Sequence, residues 1–195
     1  MSFYQYVYSR PLWMVYVVSL CGLFVWATIS AVCEKRGWYR TRIVFHAVAL
    51  IPAVAVILYA TLVRREPGIG TQMPILRPFA VLEAAKRQPE CYREIVMNAF
   101  LFYPLGLTVS ALWSVRRSRA ASFGLTIACA VGLSLCIECL QYFLRLGLAE
   151  TDDVICNMLG AVVGASHIWL VAPIGRSLCA VSRRIKQKTP GDSTN

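Results

Sequence analysis

Five apolar runs, at about 12–33, 43–63, 95–113, 121–144 and 153–173, dominate the chain. Each is close to the ~20 residues that cross a bilayer as a helix. All are too long for barrel strands. Lipid offers no partner to a free backbone N–H or C=O, so runs of this kind must form helices. The fold class that follows is all-α: a polytopic helical bundle with about five transmembrane helices.

Composition agrees. Of 195 residues, 57% are hydrophobic and 15% are charged, against about a quarter charged in a soluble domain. The formal net charge is +10, which on its own would suit nucleic acid. Its distribution does not. The basic residues fall in short blocks between the runs: Lys35, Arg36, Arg40 and Arg42; Arg116, Arg117 and Arg119; Arg183, Arg184, Lys186 and Lys188. Blocks so placed mark cytoplasmic loops lying against an anionic leaflet. With the N-terminus outside, the inner segments hold twelve Lys and Arg and the outer segments eight. The bias predicts N-out, C-in. The 64–94 loop runs against it, since Arg64, Arg65, Arg77, Lys86, Arg87 and Arg93 then lie outside.

Residues 1–175 read as one transmembrane domain and 176–195 as a basic, disordered cytoplasmic tail. The first run is longer than a secretory h-region and is read as a retained span. In the 64–94 loop, "REPGIGTQMP" has turn chemistry. "ILRPFAVLEAAKRQPE" mixes apolar and charged residues and is too short to span, so an interfacial amphipathic segment is expected before the third helix. Pro52 is expected to kink the second helix. Most of the eight cysteines fall inside apolar runs and are read as packing residues; Cys136 and Cys139 form a C-x-x-C without a second ligand pair, and Cys91 lies in a polar loop. His46 and His167 each stand alone on an apolar helix. No metal site is predicted from them.

The informative residues lie where the third, fourth and fifth runs meet solvent. Asn98 opens the third run, Glu138 and Gln141 close the fourth, and Asp152, Asp153 and Asn157 open the fifth. Up-and-down threading brings all six to one depth, the extracytoplasmic one under the charge bias. Arg145 and Glu150 lie in the joining loop at the same level. Glu138 and Gln141 share a helical face that Ser134 extends, and Asp153 and Asn157 share another. "GAVVG" supplies Gly160 and Gly164 for close helix approach; Gly124, Ala128 and Gly132 offer a second small-residue ridge. Glu138 sits six residues inside its run, about 9 Å deep. An acid there must be protonated or paired, and Arg145, about two turns away, is a candidate partner. Asp152 and Asp153 suit the N-terminus of their own helix, where carboxylates cap free N–H groups. The same residues also fit plainer roles: an N-cap for the aspartates, interhelical hydrogen bonding for Asn98 and Gln141.

At these residues the chain resembles the VanZ-like family of bacterial membrane proteins, most closely over 73–164. "MPILRPF" is similar to that family's Pro-Phe segment. "NAFLFYPLG" resembles its N-x-x-x-F-x-P-x-G element at Asn98, Phe102, Pro104 and Gly106. "IECLQYFLRLGLAETDDVICNMLGAVVG" matches at Glu138, Gln141, Glu150, Asp152, Asp153, Asn157, Gly160 and Gly164. One departure is that Leu146 separates Arg145 from Gly147, where the family sets Arg directly before Gly. The family is named for a protein linked to teicoplanin resistance. The resemblance therefore implies a role at the cell envelope.

Three functions remain open on the sequence. The first is low-level glycopeptide (teicoplanin-type) resistance, or binding of a lipid-linked envelope precursor or lipoglycopeptide. Asn98, Gln141, Arg145, Glu150 and Asn157 would then be binding residues, and Pro104, Gly106, Gly160 and Gly164 structural ones. The second is an enzyme on a lipid-linked or glycosyl substrate, with Glu138 as acid and an exposed Asp152 or Asp153 as base. No cofactor motif is present, though oxygen ligands at the two aspartates leave Mg or Ca open. The third is a proton-coupled transporter or flippase using Glu138. No G-x-S-x-G occurs and Ser134 lacks a base, which argues against serine hydrolysis. Neither ligand nor oligomeric state can be read.

Overall fold

The computed structural model describes residues 36–63, 65, 74–146 and 149–167, together with 17, 21, 22, 25, 26, 28–30, 32 and 33 of the first run. The turn-rich stretch 66–73, residues 168–173 of the fifth run and the basic tail lie outside the described residues. The chain divides into two units, one of Met1–Arg42 with Val171–Asn195 and one of Ile43–Leu170. In the first, every described residue from 17 to 33 is helical. A turn follows at Gly37, whose φ of 68° suits a residue without Cβ. There Arg36 lies over the Trp38 ring at 4.8 Å.

The second unit holds the bundle. Helix α1 is Tyr39–Leu58, running through Pro52 and ending in a π turn at Tyr59–Val63. After the linker come α2 (Ala80–Ala85), α3 (Pro89–Trp113) and α4 (Arg119–Leu144). A last helix, α5, covers 151–167. Among the described residues there is no strand, and three helices are long and apolar enough to cross a membrane: Tyr39–Val63, Cys91–Trp113 and Arg119–Leu144. The third helix starts six residues before the apolar run, because Pro89 at its first position lacks only an N–H that would have had no partner there.

Burial on α4 follows a single stripe: Ser122, Thr126, Ala130, Ser134, Ile137, Glu138 and Gln141. The two hydroxyls nearest its N-terminus bond back to their own helix. Ser122 donates to Ser118 O at 2.9 Å and Thr126 to Ser122 O at 2.7 Å. A polar side chain satisfied in this way can face an apolar neighbour at little cost. The opposite face, with Cys129, Cys136, Cys139 and Phe143, is exposed. Phe102, Leu105 and Val109 of α3 meet Ile57, Ala130, Ile137 and Ala161 in a common core.

Helices α3 and α5 approach until backbone meets backbone. A Cβ on Gly160 would lie 1.9 Å from Ala99 O, one on Gly106 2.2 Å from Ala161 O, and one on Gly164 2.2 Å from Tyr103 O. The G-x-x-x-G therefore serves the α3–α5 seam. Among the described residues the expected ridge on the fourth helix finds no partner: a Cβ at Gly124 or Gly132 meets nothing within 4 Å, and Ala128 is exposed. These residues fall on the face away from the buried stripe.

Of the expected amphipathic segment, α2 is the helical part and is only six residues long. Leu76, Phe79 and Leu82 are exposed beside the Arg77–Glu83 ion pair.

Candidate functional site

The polar residues of α3, α4 and α5 meet at the end of the bundle that carries the 145–150 connection. One rung is set by Asn157, whose Nδ2 donates to Ser134 Oγ at 2.9 Å. The helices are antiparallel, so four residues toward the connection on each leads from Ser134 to Glu138 and from Asn157 to Asp153. These carboxyls are close enough for their charges to act on each other. Asn98 closes the third side, its Nδ2 donating to Asp153 Oδ1 at 2.6 Å. Glu138 is 7% exposed and Asn157 3%. Groups so deep cost several kcal/mol each if unpaired in lipid, of order 3 on insertion scales, and the bonds answer that cost.

Glu138 is held by the backbone of the joining loop. Its Oε2 accepts the Glu150 N–H at 3.0 Å. Arg145, the candidate partner, instead caps α4. It adopts a left-handed φ of 56°, lets Leu146 N–H donate to Gln141 O at 2.9 Å, and is exposed. The cation at the cluster is Arg65, 3.6 Å from Asp153 Oδ2, with charge effects on Glu138 and Glu150 as well. Arg65 lies two residues past the end of the π turn. In the sequence it is one basic loop charge among six, because its pairing with α5 depends on how α1 ends. Gly147, the other half of the family departure, is outside the described residues.

Asp152 does not join the cluster. Adjacent helical residues point about 100° apart, and Asp152 turns toward α2. Its Oδ1 accepts Phe79 N–H at 2.5 Å and its Oδ2 accepts Val81 N–H at 2.7 Å. It thus caps a remote helix, rather than its own as expected. At 6% exposure it is not the accessible base that the sequence suggested; Asp153, with 19% of its side chain exposed, is also largely covered. The same contact is extended by a parallel bridge between Ile75 and Glu150. Ile75 N–H donates to Ala149 O at 2.9 Å and Thr151 N–H to Ile75 O at 3.1 Å. The Pro-Phe segment is thereby laced to the start of α5. No local periodicity signals such a pairing.

Gln141 reaches the other way. Its Nε2 donates to Thr61 O at 2.9 Å, in the π turn. The last carbonyls of a helix lack intrahelical partners, and this amide satisfies one of them. The second run, legible only as hydrophobic, is thus tied to the cluster through backbone. Among the described residues, two buried side-chain acceptors have no partner: Gln141 Oε1 and Asn157 Oδ1. Glu150 is half-buried at the rim. Burial pushes its carboxyl above the usual range, the Asp153 and Glu94 carboxylates add to the rise, and Arg65 opposes it.

Pro104 is exposed on α3, where Thr108 Oγ1 donates to its carbonyl at 2.8 Å. His167 stacks edge-on with Tyr103 at 5.5 Å between ring centres, and His46 is buried beside Phe45. Among the described residues no three His, Cys, Asp or Glu side chains converge as for a metal ion. The donor chemistry fits a cation poorly at Asp152 too, since both its oxygens are taken by backbone N–H groups.

No curated protein and no solved structure matches the chain. A family model described as VanZ/LLP1 matches residues 13–172, extending the resemblance through both leading apolar runs. The polytopic helical architecture, the residue pattern and the span of that match agree: this chain belongs to the VanZ/LLP1 family of membrane proteins.

Proposed function

We propose that the Asn98–Glu138–Asp153–Asn157 recess is a binding site opening on the extracytoplasmic side of the bacterial cytoplasmic membrane. Its ligand is the polar head of a lipid-linked envelope molecule or lipoglycopeptide, and its effect is low-level protection against teicoplanin-type glycopeptides. The observation that carries the reading is that three helices turn their buried polar groups toward one another at a single end of the bundle. Membership of the family supports the envelope role. The Lys and Arg bias supports the orientation, with the N-terminus outside and the C-terminus inside. A hydrophobic tail can lie against the apolar helix faces while its head enters the recess. Binding is favoured over acid–base catalysis because Asp152, one of the two candidate bases, is committed to capping α2.

The test is expression in a glycopeptide-sensitive bacterium, with membrane levels matched. Wild type raises the inhibitory concentration of teicoplanin, and Glu138→Gln, which keeps the shape and removes the charge, abolishes the rise. Equal protection by the variant refutes the site. Labelling of a cysteine at position 150 from the cytoplasm alone refutes the orientation.

A further inference from the structure

Glu150 stands between the recess and the Pro-Phe segment. Its own N–H donates to Glu138 Oε2 at 3.0 Å. The peptide groups that flank it, Ala149 O and Thr151 N–H, bond to Ile75 at 2.9 and 3.1 Å. In a parallel pairing those groups lie on the opposite edge of the backbone from Glu150 N–H. One short stretch of backbone therefore separates Ile75 from the buried Glu138. A head group arriving at this end of the bundle meets that backbone before it meets the acid.

Residues 74–85 are held over the connection mainly by polar bonds. One end is fixed, because α2 runs into α3 through 86–88. The rest depends on the two bonds of Ile75 and on the two that the Asp152 carboxylate accepts from Phe79 and Val81 N–H. Leu76, Phe79 and Leu82 are exposed, so they add little apolar burial to the hold. Phe79 also has a φ of 65°. A residue with a Cβ adopts that left-handed form at a disadvantage of roughly 5- to 30-fold. A strained residue and few buried apolar contacts mark a segment that opens at low cost. Its departure removes two of the bonds that seat the Glu150 N–H on Glu138. Resting on the reading of the recess as a binding site, we propose that residues 74–85 are a latch: Asp152 holds it shut, and its release lifts the 149–151 backbone from Glu138 and admits the ligand.

The test uses the full chain in phosphatidylcholine nanodiscs, without ligand. Amide exchange over 75–85 reads the latch, and amide exchange in α3 reads global unfolding. Reaction of Glu138 with dicyclohexylcarbodiimide, followed by peptide mass spectrometry, reads access to the acid. Asp152→Ala raises both latch exchange and Glu138 modification by about 5- to 30-fold, the range of a lost cap. Phe79→Gly moves both the other way. It slows them by about threefold, the left-handed cost relieved less the freedom that Gly adds to the open segment. Phe79 carries no charge, so that change cannot arise from the ionisation of Glu138. Exchange in α3 stays as in wild type in both variants. If latch exchange shifts while Glu138 modification does not, the segment is only a static cap and the proposal is overturned. Modification that rises only together with α3 exchange reports unfolding and overturns it as well, as does a lack of response in both variants. Access is read here without ligand, so failure of the latch leaves the teicoplanin test of the recess standing, and failure of that test leaves the latch standing.

Discussion

Gly160→Ala tests the contact on which the recess depends. The added Cβ would stand 1.9 Å from Ala99 O, and real Cβ atoms stay beyond 3.0 Å, so the two backbones must part by about 1.1 Å in a tightly packed seam. The obstacle is backbone on both sides, so no side chain can rotate away. Overpacking of this kind costs about 1–3 kcal/mol. An unobstructed Gly→Ala in a helix gains up to about 1 kcal/mol. Gly132→Ala on α4 is that unobstructed case, with nothing within 4 Å. That gain is common to both helical glycines and cancels, so the two variants should differ by the overpacking term, about 1–3 kcal/mol, or about 5- to 150-fold in the folded-to-unfolded ratio. The damage reaches the site because Asn98 precedes Ala99. Parting the helices by about 1.1 Å takes the 2.6 Å Asn98–Asp153 bond beyond the ~3.2 Å range of N–H···O bonds. Reversible unfolding in mixed micelles gives the energies, and labelling of a cysteine at position 157 reads whether the recess opens. Equal stability of Gly160→Ala and Gly132→Ala would refute the seam.

Asp152→Ala leaves the Phe79 and Val81 N–H groups uncapped; it should cost about 1–2 kcal/mol and raise amide exchange over 75–85 while α3 stays protected. A double-mutant cycle of Arg65→Gln and Asp153→Asn should return a coupling of about 1 kcal/mol, since a 3.6 Å pair with partly exposed side chains is screened by solvent; a coupling near zero would detach Arg65 from the cluster. Glu150 holds its proton to a higher pH in the folded chain than when unfolded. Its contribution is therefore full below about pH 4.3, the unfolded value, and is lost as pH rises through the raised folded value. Glu150→Gln should flatten the fall in unfolding temperature as pH rises above the unfolded value, and an unchanged slope would contradict its burial.

What the sequence made legible was local or periodic. Runs of apolar residues fix helices because lipid leaves the backbone no alternative, and the ends of α1, α3 and α4 lie within a few residues of those runs. The i, i+4 spacing of Ser134 with Glu138, and of Asp153 with Asn157, put the right faces together. The Gly160–Gly164 spacing marked a seam, but not its partner: the facing groove is made of Ala99, Tyr103 and Gly106 backbone on α3, and Gly124 and Gly132 carry an equally suggestive pattern in open space. Partner choice depends on which helix can bring backbone close, and single-helix patterns do not encode that.

The charges were harder for a related reason. Arg145 is nearer in sequence to Glu138 than Arg65 is, by seven residues against seventy-three. Yet the αL turn that ends α4 points Arg145 outward, while the π turn that ends α1 brings Arg65 to Asp153. Two adjacent aspartates divide by the same geometry. A turn of about 100° commits Asp152 to the Pro-Phe segment and leaves Asp153 to Asn98 and Arg65. The pair thus joins two jobs in one dipeptide, pinning α2 over the connection and holding the polar floor beneath it. If so, Asp152→Asn should loosen the segment over the recess and speed ligand exchange with little change in which ligand binds, whereas Asp153→Asn should alter selectivity directly. Off-rates measured against competition for the two variants separate these effects, and identical profiles would mean that cap and recess are one element.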